Sequence, residues 1–229
     1  MIRRLFVPAL LAIFVAGIVI AMAPAEADAR KKMVLGVSNS GDTRNIQDVK
    51  DFAKATGDAA GTGPIKPRMW TIWSKWGDKN TKSFPSTFAR QLKFYGVTPV
   101  IWWEPMRKRV NSDGSFDCAF AQHRKIANGK YNWYIRKWAR AAKKHRGKVI
   151  VRFAQEINGR YFPWNIGNCG NKIKHFKKAY RHIHHIVRNK VGAKNVLFVQ
   201  TWTKRACKGC NGFRPTYVGN QHTEMVGFS

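Results

Sequence analysis

The chain has 229 residues, with 42 Lys and Arg against 12 Asp and Glu, a formal net charge of +30 and a pI near 10.6. A hydrophobic fraction of 44%, an aromatic fraction of 13% and nine Trp exclude a disordered basic tail or a histone-like extension. The length allows one large domain or two small ones.

In chain order, Arg3 and Arg4 give a positive start, residues 5–22 are apolar, and Ala25, Ala27 and Ala29 offer small-x-small cleavage sites. Residues 1–29 therefore read as a signal peptide, although the apolar run is also long enough for an anchor. Either way the body, residues 30–229, is expected to be exported, secreted and cell-wall associated. Residues 1–29 contain Arg3, Arg4, Glu26 and Asp28, so the net charge resides in the exported part.

Export bears on Cys118, Cys169, Cys207 and Cys210. Four cysteines allow three pairings. Disulfides suit an oxidising compartment better than zinc, because only CKGC (207–210) forms a close pair. The favoured pairing is Cys118–Cys169 with Cys207–Cys210.

Short apolar runs at 33–38, 69–73, 97–103, 148–154, 195–202 and 224–228 read as strands. Helical periodicity lies between them. In 131–146, Tyr131, Tyr134, Ile135, Trp138 and Ala142 share a face; in 172–190, Ile173, Phe176, Tyr180, Ile183 and Val187 do so. Shorter helical patterns occupy 46–55 and 86–95. Alternating strands and helices predict βαβ units, a parallel sheet and one domain.

The first strand leads into SNSGDTRN (38–45), without a GxGxxG or GK[ST] turn, so no nucleotide cofactor is expected. Polar and aromatic residues instead cluster past the carboxyl ends of strands, where a (β/α)8 TIM barrel keeps its active site. Six strands are visible where such a barrel has eight. The chain stops at MVGFS, within an apolar run. The expectation is a C-terminally incomplete barrel lacking two βα units.

From Cys118 to Ser229 there is no Asp, and Glu156 and Glu224 are the two Glu. Glu156 follows KVIVRFAQ, and a period of two puts Arg152, Ala154 and Glu156 on one face. A carboxyl held there among apolar and aromatic neighbours is suited to donating a proton near neutral pH. The competing reading is a structural Glu paired with Arg152.

VIVRFAQEINGRYFPW (149–164) closely resembles the fourth-strand signature of glycoside hydrolase family 26, the β-mannanases and related β-glycanases. WWEP (102–105), NGKYNWYIRKWARAAKKHRGK (128–148), GAKNVLFVQTW (192–202) and YVGNQHTEMVGFS (217–229) resemble other segments of that family, in the right order. The resemblance implies a retaining glycosidase acting on β-linked polysaccharide, with Glu156 as general acid/base and Asn158 positioning the site. Tyr161 and Trp164 would offer faces on which sugar rings stack. The family's nucleophile is a Glu on strand 7, expected here beyond Ser229, so the chain as it stands is expected to be inactive. Gln155 replaces a common His, which puts mannan specificity in doubt.

Other expectations are weaker. Glu104, Trp103 and Trp202, at strand ends, are candidate substrate contacts, with Arg152 and Gln155 supporting. His182 and His185 share a helix face that reads as solvated, and no metal is expected. A charge of +30 attracts anionic cell-wall polymer. No specific nucleic-acid reading motif is present. A non-catalytic exported binding protein is the alternative function.

Overall fold

The computed structural model describes residues 35–38, 44–204 and 212–228. The apolar segment 5–22 with its cleavage sites, and the Cys207–Cys210 pair, lie outside the described residues.

The elements follow the predicted alternation. β1 (Gly36–Val37) is followed by α1 (Ile46–Ala59), β2 (Met69–Lys75), α2 (Ser86–Tyr95) and β3 (Thr98–Glu104). Next come the short α3 (His123–Ala127), α4 (Asn132–Lys144), β4 (Val149–Phe153) and α5 (Ile173–His185), which continues as a π turn through Ile186–Lys190. β5 (Val196–Trp202), the single-turn α6 (Phe213–Thr216) and β6 (Met225–Phe228) complete the set. Asn45 caps α1 by accepting from Gln47 N at 3.0 Å. Gly96 ends α2 at φ 82°, a left-handed cap that glycine adopts without a Cβ penalty.

All five strand pairings are parallel and the order is β1-β2-β3-β4-β5-β6. A doubly wound sheet reverses its strand order at a switch point, and this sheet does not. Six strands of a (β/α)8 barrel and the helices between them are thus present among the described residues, curled so that one strand face lines a trough.

The other strand face builds the core against the helices. Trp103 is fully buried, stacks on Trp138 of α4 at 4.4 Å between ring centroids, and donates from Nε1 to the Tyr134 hydroxyl. Tyr134, Ile135, Trp138 and Ala142 of α4 are buried, as are Phe176, Tyr180, Ile183 and Val187 of α5 and its π turn. The helical periodicity in the sequence marks these faces.

Candidate active site

The strand-end chemistry turns on how β4 stops. The period of two predicts Ala154 and Glu156 on the Arg152 face of a continued strand; β4 instead ends at Phe153, Ala154 is buried in the core, and a turn brings Glu156 back to Arg152. Ala154 and Glu156 both take left-handed backbone, at φ 47° and 53°. Such conformations cost non-glycine residues on the order of 1 kcal/mol each and persist where surrounding contacts impose them.

Those contacts are specific. Trp164 Nε1 donates to the Gln155 carbonyl at 2.9 Å. The Glu156 carbonyl accepts from Gly159 N at 2.8 Å and from Asn165 Nδ2 at 2.7 Å. Asn165 Oδ1 in turn accepts from Phe162 N. A Cβ on Gly159 would lie 3.1 Å from the Glu156 carbonyl oxygen, so the close approach favours glycine.

The Glu156 side chain remains 22% exposed, with Oε1 3.9 Å from Arg152 Nη2. Arg152 Nε donates to Thr201 Oγ1 at 2.8 Å, and its guanidinium lies 4.5 Å from the Trp102 ring centroid. Burial lowers the pKa of Arg152, while the charges of Glu156 and Glu104 oppose that shift. Thr71, Val100, Trp102, Arg152, Thr201 and Phe228 help to line a trough of about 430 Å³. Its wall therefore sets an aromatic ring, a cation and hydroxyls among the apolar side chains of Met69, Ile150, Val199 and Met225, along the length of the strands. Such a wall can bind a polar ring and hold a carboxylic acid beside it.

A brace lies behind this site. Asn158 Nδ2 donates to Thr203 O, and Thr203 N donates back to Asn158 Oδ1, tying the loop after β4 to the end of β5. His123, fully buried, bonds through Nε2 to the Trp164 carbonyl at 2.8 Å. Because a carbonyl only accepts, Nε2 carries the proton. Burial pushes the His123 pKa down to about 4, which keeps the ring neutral. Asn171 accepts from His123 N and donates to Ala121 O and Pro163 O. The Cys118–Cys169 disulfide, with Cα atoms 5.5 Å apart, links the same two loops.

The sequence-predicted residues separate into three groups. Glu156 and Arg152 meet at the trough, and Tyr161 stands 55% exposed on the loop after β4. Glu104 and Gln155 are buried and face each other, with Gln155 Nε2 donating to Glu104 Oε1 at 2.6 Å; Asn158 is buried against Thr203. Glu104, fully buried, and the remaining three require correction as substrate contacts. Trp103 belongs to the core beneath α4. Trp202 is buried and donates to Thr216 Oγ1 beside α6. Trp164 is fully buried, with Phe162 stacked on it at 4.5 Å and 7° between ring planes. A ring covered in this way cannot receive a sugar.

Thr201 and Asn165 escaped the sequence reading. Trp102 was accessible to it, because the period of two puts Trp102 on the Glu104 face and Trp103 on the opposite one. HIHH holds no comparable chemistry. His182 Nε2 pairs with Asn132 Oδ1, and His184 packs against Phe198 and His222. Among the described residues, no group of three or more His, Cys, Asp or Glu is arranged to hold a metal ion.

Solved structures share this fold. The YdhT protein from Bacillus subtilis aligns at TM-score 0.61 and 17% identity, over 85% of this chain and 62% of its own. A mannanase from Bacillus subtilis aligns at TM-score 0.62 and 16% identity, over 85% and 63%. A modular endo-β-1,4-mannanase from Cellulomonas fimi aligns at TM-score 0.56 and 13% identity, over 85% and 46%. The chain thus spans about three-fifths of the length of the first two. No curated protein sequence matches it significantly. The profile of Glycosyl hydrolase family 26 matches residues 106–229, more than half of the chain and all of the segment that carries Glu156 and its brace. The chain belongs to glycosyl hydrolase family 26.

Proposed function

We propose that the protein is an exported glycosidase that cleaves β-linked polysaccharide, β-mannan or a related β-glycan, with retention of configuration. Glu156 is the general acid/base in this reading. It protonates the departing glycosidic oxygen and then deprotonates the water that releases the product. The observation that carries the reading is the left-handed turn at Glu156, which sets a part-exposed carboxyl beside Arg152 at the edge of the trough. Arg152 steadies the carboxylate that remains after proton transfer. Tyr161 supplies an exposed ring face for sugar. The structural neighbours described as mannanases make β-mannan the first substrate to try.

Retention also requires a second carboxylate about 5–5.5 Å from the first, to capture the anomeric carbon. Glu104 does not suit that role, being buried and bonded to Gln155. A second reading, a glycan-binding protein without turnover, rests on the exposed ring of Tyr161 alone.

The test is hydrolysis of β-mannan by the protein expressed from its complete gene, beside the Glu156→Gln variant. The expected result is a fall in turnover of roughly 10² to 10⁴, because the amide keeps the shape and removes the transferable proton. Equal turnover would overturn the assignment of Glu156. Oligosaccharide binding without hydrolysis by either form would favour the binding protein.

A further inference from the structure

Away from the trough, the outer helical layer carries a second concavity. It has a volume of about 640 Å³ and is lined by Arg136, Arg140, Lys143 and Lys144 of α4, with Arg146 and Lys190. All six cations are exposed. None of them forms an ion pair among the described residues, whose bridges are Lys54–Asp58, Arg107–Asp117, Arg152–Glu156 and Arg188–Glu224. The sequence explains this, because Glu156 and Glu224 are the two carboxylate side chains from Cys118 to Ser229. Lys143 Nζ donates to Val191 O at 3.0 Å, holding the end of the π turn against α4. The cleft is thus a fixed junction of two elements.

Six like charges repel one another, and opposite charge on a ligand relieves that repulsion. Arg136, Arg140 and Lys144 follow one another at four-residue spacing, which sets successive charges about 6 Å apart along the helix. That row suits an extended chain bearing one anion per repeat unit. Arginine forks and lysine point charges both serve phosphate oxygens. The remaining lining residue is Val191, so the cleft has no aromatic platform of the kind on which nucleic-acid bases stack.

The structure assigns this cleft as a binding site for a linear phosphodiester polymer without bases, of the poly(alditol phosphate) type. Such a site would hold the domain on an anionic surface while leaving the trough open. It stands independently of the glycosidase reading.

The experiment titrates the full chain with poly(glycerol phosphate) at several salt concentrations. The cleft variant carries Arg140→Ser, Lys144→Ser and Lys190→Ser. A control of equal charge change carries Lys172→Ser, Lys174→Ser and Lys178→Ser, three exposed residues at the start of α5, far along the helix from Lys190. Thermal melting of each variant confirms that it is folded. The cleft variant is expected to lose about tenfold or more in affinity at low salt. Its dependence of log K on log salt should become shallower by about 2, at roughly 0.7 per lost contact. The control should lose less than about threefold. Equal losses in both variants would overturn the site in favour of a diffuse field. Oligothymidylate binding as tightly as poly(glycerol phosphate), or no binding of the polymer at low salt, would overturn the assigned ligand.

Discussion

Gln155 Nε2 and Glu104 Oε1 meet at 2.6 Å, with both side chains buried, and so join the end of β3 to the turn that presents Glu156. The bond gives Glu104 Oε1 a neutral donor. Removing the donor leaves the charge short of a partner in a low-dielectric site, whereas a ring N–H can replace it. Gln155→Ala is expected to destabilise the fold by about 2–3 kcal/mol, and Gln155→His by distinctly less. Denaturant melts of the two variants measure the difference, and equal losses would refute this role.

Tyr161 and Trp164 make opposite predictions. Tyr161 is exposed, and Tyr161→Ala should weaken glycan binding by roughly 1–2 kcal/mol with little change in stability. Trp164→Phe keeps a buried ring and loses the bond to the Gln155 carbonyl, so it should cost about 1–3 kcal/mol of stability. Glycan titration by fluorescence, paired with melts, separates the two. A Trp164→Phe protein of unchanged stability would contradict the holding of the turn by this bond.

His123 gives the fold a pH dependence. Its folded pKa of about 4 lies below the unfolded value near 6.5, so the unfolded chain takes up the proton first as pH falls. The stability associated with neutral His123 is present above pH 6.5, erodes below it and is gone near pH 4. The loss amounts to about 3 kcal/mol. His123→Gln retains a donor for the Trp164 carbonyl and should flatten the stability profile between pH 4 and 6.5. A variant with an unchanged profile would show that other groups govern it.

The Cys118–Cys169 bridge spans 51 positions, and loop-closure entropy assigns a crosslink of that span about 4 kcal/mol. Replacing both cysteines with serine should lower the melting temperature by roughly 10 °C. Denatured, unreduced protein should show neither thiol reactive. A thiol titre that includes Cys118 and Cys169 would refute the bridge.

Much of this architecture was legible in the sequence. The runs at 69–73, 97–103 and 195–202 and the faces of α4 and α5 are periodic because burial on one side selects apolar residues at helix or strand spacing. The string QEINGRYFPW singled out Glu156 through its resemblance to the family's fourth-strand signature. The backbone reversal at Ala154 and Glu156 was not legible. It depends on Asn165 and Trp164 returning their N–H groups to the carbonyls of Glu156 and Gln155, and on His123, at the start of α3, holding that return through its bonds to Trp164 and Asn171. Trp102 and Trp103 make the same point side by side. The strand period puts them on opposite faces, but only the closing of α4 over one face decides that Trp103 enters the core and Trp102 lies beneath the Arg152 guanidinium. Local periodicity is written by each element's own burial, whereas a site is made by contacts between distant segments, which exist only once the chain has folded.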